Sequence, residues 1–351
     1  MPGERPVQRR VPEPAVGPKP GATGGAYVIL NADDFGRWPS INQAVLRAHR
    51  EGILTSASLV VTGYAFEEAV ALARATPTLA VGLHLVLVQG RPALPPDQVP
   101  DLVGSDGQFG RDPARVWLRY WADRRAAAEL EREVRAQFER FAATGLPLSH
   151  VDGHLHFHLH PAVADLVVEL AHEYGAGGVR VPRDDVALAV RHDRIGAAMK
   201  VLWAWGLGVF ARRVEAAARR IEVAARRIEA SGRSAPGDGR ARPLVVADRV
   251  YGLLQSGRME EAYVLRVLDS LAGSLRAGQG RPVFELYFHP DTADPVEPFG
   301  PNPGDLECLL SPAVRRALER GGLEPTTYRA LSGGCARGVV PGTWAAEPRR
   351  G

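Results

Sequence analysis

Seven short apolar runs, spaced along the chain between longer segments of helical character, do most to restrict its folds. Tyr27-Val28-Ile29-Leu30, Ser58-Leu59-Val60-Val61, Leu79 to Leu85, Ser149-His150-Val151-Asp152, Gly178 to Pro182, Leu244-Val245-Val246-Ala247 and Val283 to Phe288 are rich in β-branched residues or aromatics. Runs this short, with that composition, predict buried strands rather than helices. Ile41 to Glu51, Phe66 to Ala75, Ala126 to Ala143, Ala162 to Glu173, Met259 to Leu271 and Pro312 to Arg320 have spaced apolar positions and strong helix formers, and predict helices. Alternation of the two kinds implies parallel strands with helical crossovers. The expected class is α/β, and a closed or partly closed barrel of about seven parallel strands is the simplest single-domain solution.

Residues 1–25 are rich in proline, glycine and arginine and nearly devoid of large apolar side chains, so a disordered tail is expected. The barrel domain is expected over 26–331 and a flexible C-terminal tail over 332–351. Gln89 to Arg111 reads as a long surface loop, a common form of lid. Ala211 to Ala230 holds a seven-residue unit repeated three times, stacking Val214, Ile221 and Ile228 on one helical face beside six arginines. With a flexible exit to Arg242, it reads as an Arg-rich insertion over 211–242. The preceding Val201 to Phe210 is aliphatic and aromatic. It predicts either a core helix running into a solvated arm or, with the arginines, a peripheral membrane contact through 201–230.

The 43 Lys and Arg against 40 Asp and Glu leave a net charge of +3, and the excess falls largely in the tail and the repeat. No basic groove is implied, so nucleic acid is not an expected partner. No run of about 18 apolar residues predicts a membrane span, and no apolar leader is present. Two cysteines, Cys308 and Cys335, are too few for a disulfide framework. The expected location is cytoplasmic, at most peripheral at the inner face of the membrane.

Chemistry gathers at strand ends. Asp33-Asp34 closes the first strand, where parallel α/β folds place their active groups. Adjacent carboxylates repel unless a cation or proton separates them. His84 lies on the third strand and His289 follows the last. Five histidines, His150, His154, His156, His158 and His160, fall within eleven residues. Alternating histidines on an extended segment project to one side, and this density predicts a metal site. Imidazole with carboxylate suits Zn²⁺, Ni²⁺, Co²⁺, Mn²⁺ or Fe²⁺. Without cysteine ligands, an open catalytic site is expected over a closed structural one. A bound ion lowers the pKa of water towards about 7, a spare carboxylate takes up its proton, and an imidazole protonates the leaving group. These residues suggest hydrolysis without naming the bond.

Asn31-Ala32-Asp33-Asp34-Phe35-Gly36, Gly82-Leu83-His84-Leu85, His150-Val151-Asp152-Gly153-His154 and Phe288-His289-Pro290, in that order, resemble the YdjC-like carbohydrate deacetylases. Gly82 to Pro92, Thr144 to Leu148, Val250 to Leu253, Ser256 to Met259 and Glu285 to Pro290 look like the hopanoid-biosynthesis-associated branch of that family. The resemblance implies a distorted (β/α) barrel that removes the N-acetyl group from an N-acetylglucosaminyl hopanoid, a membrane-derived glycolipid. It implies Asp34, His84 and His154 as ligands of one divalent ion, Zn²⁺ or Mg²⁺ first and Ni²⁺ or Co²⁺ next. Asp33 is then the base and His289 the general acid, while Asn31, His150, Asp152, His156, His158 and Arg258 bind substrate or support the site. Arg180, Arg183 and Arg258 contact either the sugar or nearby acids. A homodimer is a further expectation. The alternatives are a soluble chitooligosaccharide deacetylase and a non-catalytic metal-binding protein with a basic partner-binding arm; the paired aspartates argue against the latter.

Overall fold

β1 (Ala26–Phe35) is the strand around which the chain is organised, with every residue but Tyr27 buried. An apolar run of this kind, without polar alternation, suits a parallel strand covered on both faces. In the computed structural model, which describes residues 25–230, 243–275, 280–294 and 300–333, β1 pairs with three others. β2 (Ser56–Leu59) takes its C-terminal half and β7 (Leu323–Thr326) its N-terminal half on one side, and β6 (Val283–Phe288) takes the other. With β3 (Ala80–Leu85), β4 (Leu148–Gly153) and β5 (Arg249–Tyr251) the order is β4-β3-β2-β1-β6-β5, all parallel, in a curled half-barrel.

Between the outer strands β4 and β5, single parallel bridges join Val151 to Val179 and Gly178 to Val245. The expected strands at 178–182 and 244–247 are reduced to these bridges. β7 is not among the runs read as strands above; it contains Pro325, which cannot donate to a ladder. It is tolerated because β7 pairs with β1 alone. Among the described residues seven parallel strands therefore form, though not the seven that the apolar runs predicted.

Helices cover the sheet. α1 (Pro39–Glu51) starts with proline in its first turn and buries Ile41, Ala44, Val45 and Ala48. α2 (Phe66–Ala75) precedes β3, and α3 (Pro113–Ala122) and α4 (Arg124–Ala143) lead into β4. α4 is capped by Asp123, which accepts a hydrogen bond from the Arg125 amide. α5 (Ala164–Glu173), α6 (Val186–His192) and α7 (Ala197–Ala230) precede β5; α8 (Glu261–Ser274), α9 (Pro303–Leu310) and α10 (Pro312–Arg320) complete the cover. The loop from Gln89 to Arg111 is laced to α4, where Glu133 accepts hydrogen bonds from the Ala93 and Leu94 amides and Glu129 from that of Asp101. Val99, Leu102 and Phe109 are buried within it, so it forms a fixed wall rather than a loose lid.

α7 joins the Val201 to Phe210 run to the arginine repeat in one helix of 34 residues. Ala211, Val214, Ala217 and Ala218 are buried, and Arg213 and Arg220 pair with Asp165 of α5. The first part of the repeat is thus packed on the domain. The exit at 231–242 lies outside the described residues, as do the expected tails at 1–25 and 332–351 apart from Gly25, Ser332 and Gly333, and the side chains of 224–230. Among the described residues no helix is long and apolar enough to cross a membrane.

Gly178 occupies the bridging segment under the Tyr328 ring. A β-carbon there would lie 2.3 Å from that ring and 2.4 Å from the Val245 carbonyl oxygen. Gly178→Ala is expected to destabilise by about 1–3 kcal/mol, lowering Tm by several degrees. Thermal unfolding checks this, and an unchanged Tm would contradict the close approach.

Candidate metal centre and active site

Consecutive strand residues normally point to opposite faces, so Asp33 and Asp34 should not both face the site. The register against β2 shifts between Ala32 and Phe35, and Asp34 has φ +64°, in the left-handed region. This bulge brings both carboxylates to the C-terminal rim, each nearly fully buried. Arg37, in the turn that follows, donates to Asp34 Oδ2 at 3.1 Å.

Asp34 Oδ1 lies 3.7 Å from His84 Nε2 and 3.6 Å from His154 Nδ1. The three donor atoms lie within 4.8 Å of one another. Asp34 Oδ1 and His84 Nε2 are buried with no hydrogen-bond partner, a condition that costs about 1–3 kcal/mol per group and that a cation would relieve. His84 Nδ1 is held 2.8 Å from Asp152 Oδ1. That contact turns Nε2 towards the cluster, as carboxylates orient metal-binding histidines. Gln89 Oε1 lies 3.4 Å from His154 Nε2. Two imidazoles and one carboxylate leave coordination positions open. Asp33, His84 and Asp152 form a second cluster of similar size, but Arg180 occupies its carboxylates.

Arg180 is fully buried. Its guanidinium donates to both oxygens of Asp33, at 2.7 and 2.8 Å, and to Glu285 Oε1 at 2.9 Å, and it contacts Asp152 Oδ2 at 2.9 Å. It also lies over the Tyr287 ring, 4.3 Å from the centroid. Tyr328 donates to the other Glu285 oxygen at 2.6 Å. Of the two roles left open for Arg180, the structure shows the ion pair. Arg183 likewise pairs with Glu215, and Arg258 with Asp193 at 2.9 Å, although Arg258 still lines the cleft rim. Glu285 and Tyr287 lie in the Glu285 to Pro290 motif but were given no place in the site. The signal was present, since a carboxylate inside an apolar strand needs a buried partner.

Asn31 donates to Asp33 Oδ1 at 2.9 Å and to Ser58 Oγ at 2.7 Å, fixing the aspartate from its other side. Ser58 in turn donates to Asp152 Oδ2 at 2.6 Å. His289 Nε2 is 3.9 Å from Asp33 Oδ2, and its Nδ1 is buried without a hydrogen-bond partner. Asp33, Asp34, His84, His154, His156 and His289 all line one cleft of about 890 Å³.

The histidine cluster is not an extended segment. His154–Leu159 is a 3₁₀ turn with left-handed φ at Leu155 and His156, which sends its imidazoles in different directions. His154 joins Asp34 and His84, and His156 meets the Tyr287 hydroxyl at 3.1 Å. His158 contacts the Arg180 carbonyl oxygen at 2.9 Å and His160 that of Trp117 at 3.1 Å. His150 stacks on Tyr328 beneath the site. His150 and His158 are completely buried and stand behind the cleft rather than in it.

A model of the YdjC-like protein family matches residues 27–320. The chain belongs to the YdjC-like family. It is 46% identical over 147 residues to a carbohydrate deacetylase of Brevibacillus brevis, covering 42% of this chain and 56% of the relative. It is 36% identical over 149 residues to a chitooligosaccharide deacetylase of Serratia marcescens, with the same two coverages. The matches thus span little more than half the length of these relatives. A protein of Enterococcus faecalis described as a putative cellobiose-phosphate cleavage protein shares the fold, with a TM-score of 0.63 at 23% identity over 88% of this chain and 99% of that one.

Charge in this YdjC-like site is strongly biased. Burial would raise the pKa of Asp34, but Arg37 and His154 outweigh it and hold the carboxyl well below the usual range. Burial lowers His154 and takes His150 and His158 down to about 4, so these imidazoles are neutral at physiological pH. For His84 burial is outweighed by Asp152, which raises its pKa. A metal must displace that proton, so affinity should rise with pH, by about tenfold per unit while His84 is protonated. Asp152→Asn removes the raising charge and should move the midpoint of this rise to lower pH. Metal titrations across pH 5–9 test this, and an unmoved or raised midpoint would contradict the coupling.

Proposed function

We propose that this YdjC-like protein is a metal-dependent N-deacetylase that hydrolyses the acetamide of an N-acetylglucosaminyl group, giving acetate and a free amine. The observation that carries the reading is the division between neighbouring carboxylates. Asp34 faces two imidazoles with an unpartnered oxygen, while Arg180 holds Asp33 apart. The curated relatives named as carbohydrate and chitooligosaccharide deacetylases support the substrate class.

In this reading Asp34, His84 and His154 would hold one divalent ion, which would supply Lewis acidity for the hydrolysis. Two nitrogen donors favour Zn²⁺, Co²⁺ or Ni²⁺ over Mg²⁺, which prefers oxygen. Asp33 accepts the proton of the attacking water, and the Arg180 fork keeps its carboxylate oriented for this. His289, beside Asp33, donates a proton to the departing nitrogen. The balance is one water consumed, with acetyl leaving as acetate and the sugar nitrogen as amine.

The proposed carrier is a membrane-derived glycolipid of the hopanoid type, worked on by a cytoplasmic protein at the inner face. Val201, Leu202, Trp205 and Val209 of α7 are all exposed. Ile195, Gly196 and Lys200, just before and at the start of that helix, line the cleft. Arg212 and Arg219 are exposed further along. Apolar groups beside cations suit a bilayer surface. A soluble chitooligosaccharide is the second reading, supported by the Serratia relative's name.

Mass analysis of an N-acetylglucosaminyl glycolipid and of N,N′-diacetylchitobiose after incubation with the Zn²⁺-loaded protein tests both. Loss of one acetyl group chiefly from the glycolipid is expected, with the chelated protein inactive. Asp33→Asn should reduce acetate release by about 10²–10⁴-fold. Near-normal turnover in this variant would contradict its role as base, and acetate from neither compound would contradict the activity.

A further inference from the structure

At the cleft mouth stands an aromatic pair that the proposed chemistry does not use. Trp38 and Tyr64 stack with ring centroids 4.5 Å apart and planes 10° from parallel. Both line the cleft, yet they remain 44% and 57% exposed. Stacked rings buried in a core need no ligand to explain them, whereas rings held open to solvent beside a reactive centre lose no packing when a ligand covers them.

The pair is held by three strand-end loops. The Tyr64 amide donates to the Arg37 carbonyl oxygen at 3.1 Å and the Ala65 amide to that of Gly36 at 3.0 Å, tying the loop after β2 to the loop after β1. Gly63 permits this approach, because a β-carbon there would lie 2.0 Å from the Gly36 carbonyl oxygen. From the loop after β3, Arg91 donates twice to the Thr62 carbonyl oxygen, at 3.3 and 2.9 Å, and places its guanidinium 4.1 Å from the Tyr64 centroid. Trp38 and the Arg91 guanidinium thus both pack on Tyr64, and Trp38 and Tyr64 both line the cleft. Trp38 directly follows Arg37, which grips Asp34.

We infer that Trp38, backed by Tyr64 and Arg91, is a stacking platform for a pyranose ring of the substrate. This rests on the deacetylase reading and adds to it a group that determines specificity. An aromatic face is negative at its centre. The axial C–H groups on one face of a glucosamine-type ring are polarised positive by neighbouring oxygens, and C–H contacts of this kind are weakly favourable. The ring could be the acetylated sugar itself or its neighbour in an oligosaccharide; both offer the same face.

The test is calorimetric binding of methyl N-acetylglucosaminide and of diacetylchitobiose to the full-length Zn²⁺-loaded protein, with acetate release followed separately. Binding is measured on the Asp33→Asn background so that ligand survives the titration. Adding Trp38→Ala should weaken binding about tenfold, and adding Trp38→Phe, which keeps a flat apolar face, should restore most of it. Loss for both sugars places the acetylated ring on Trp38, and loss for chitobiose alone places the neighbouring ring there. Equal affinity with and without Trp38→Ala, or no binding of either sugar to the Asp33→Asn protein, would overturn the platform. Trp38-dependent binding with no acetate from the wild type would keep the platform and contradict the deacetylation.

Discussion

A single guanidinium sets the terms for the centre of this molecule. Arg180 lies fully buried among Asp33, Asp152 and Glu285. Carboxylates withdrawn from water in this way are tolerated only when paired and hydrogen-bonded. The planar fork of arginine meets both oxygens of Asp33 at once, which the point charge of lysine could not do. Burial pushes the Glu285 carboxyl upward in pKa and Arg180 opposes it, while Asp152 is held far below the usual range because Arg180 and His84 outweigh its burial. The strand ends can carry so much acid because Arg180 lies beneath them and Arg37 grips Asp34.

The same contact separates two neighbouring side chains that would otherwise compete for one role. Asp33 is turned towards Arg180 and Asn31, and Asp34 towards His84, His154 and Arg37. The left-handed backbone at Asp34 makes this division sterically feasible. Strain of that kind persists where surrounding contacts over-determine it. Here the β1 to β6 ladder on one side and the Arg37 turn on the other do so. Asp152 connects the two halves, contacting Arg180 with one oxygen and orienting His84 with the other.

Much of this was legible in the residues themselves. Short apolar runs alternating with helix formers pointed to parallel α/β architecture, and α2 and α10 end where their periodicity ends. Asp33 with Asp34, His84, His154 and His289 stand at four strand ends that only the parallel arrangement brings together, and the structure gathers them in one cleft. What could not be read depends on backbone twists and long-range partners. Alternating histidines suggested one extended, one-sided array, but positive φ at Leu155 and His156 coils the segment, so only some of its imidazoles reach the cleft. Arg180 could have met sugar or acid equally well, since its partners lie 147 and 105 residues away. β7 was not among the runs read as strands, since local propensity cannot see that β1 has room for a third neighbour.

The account stands or falls on the division of labour between Asp33 and Asp34. The direct measurement is X-ray absorption of the Co²⁺-loaded protein, comparing the wild type with Asp33→Asn and Asp34→Asn. Two imidazole nitrogens and a carboxylate oxygen should surround the ion in the wild type and remain unchanged in Asp33→Asn, while Asp34→Asn should lose the carboxylate or fail to bind Co²⁺. A coordination shell altered by Asp33→Asn and indifferent to Asp34→Asn would contradict it.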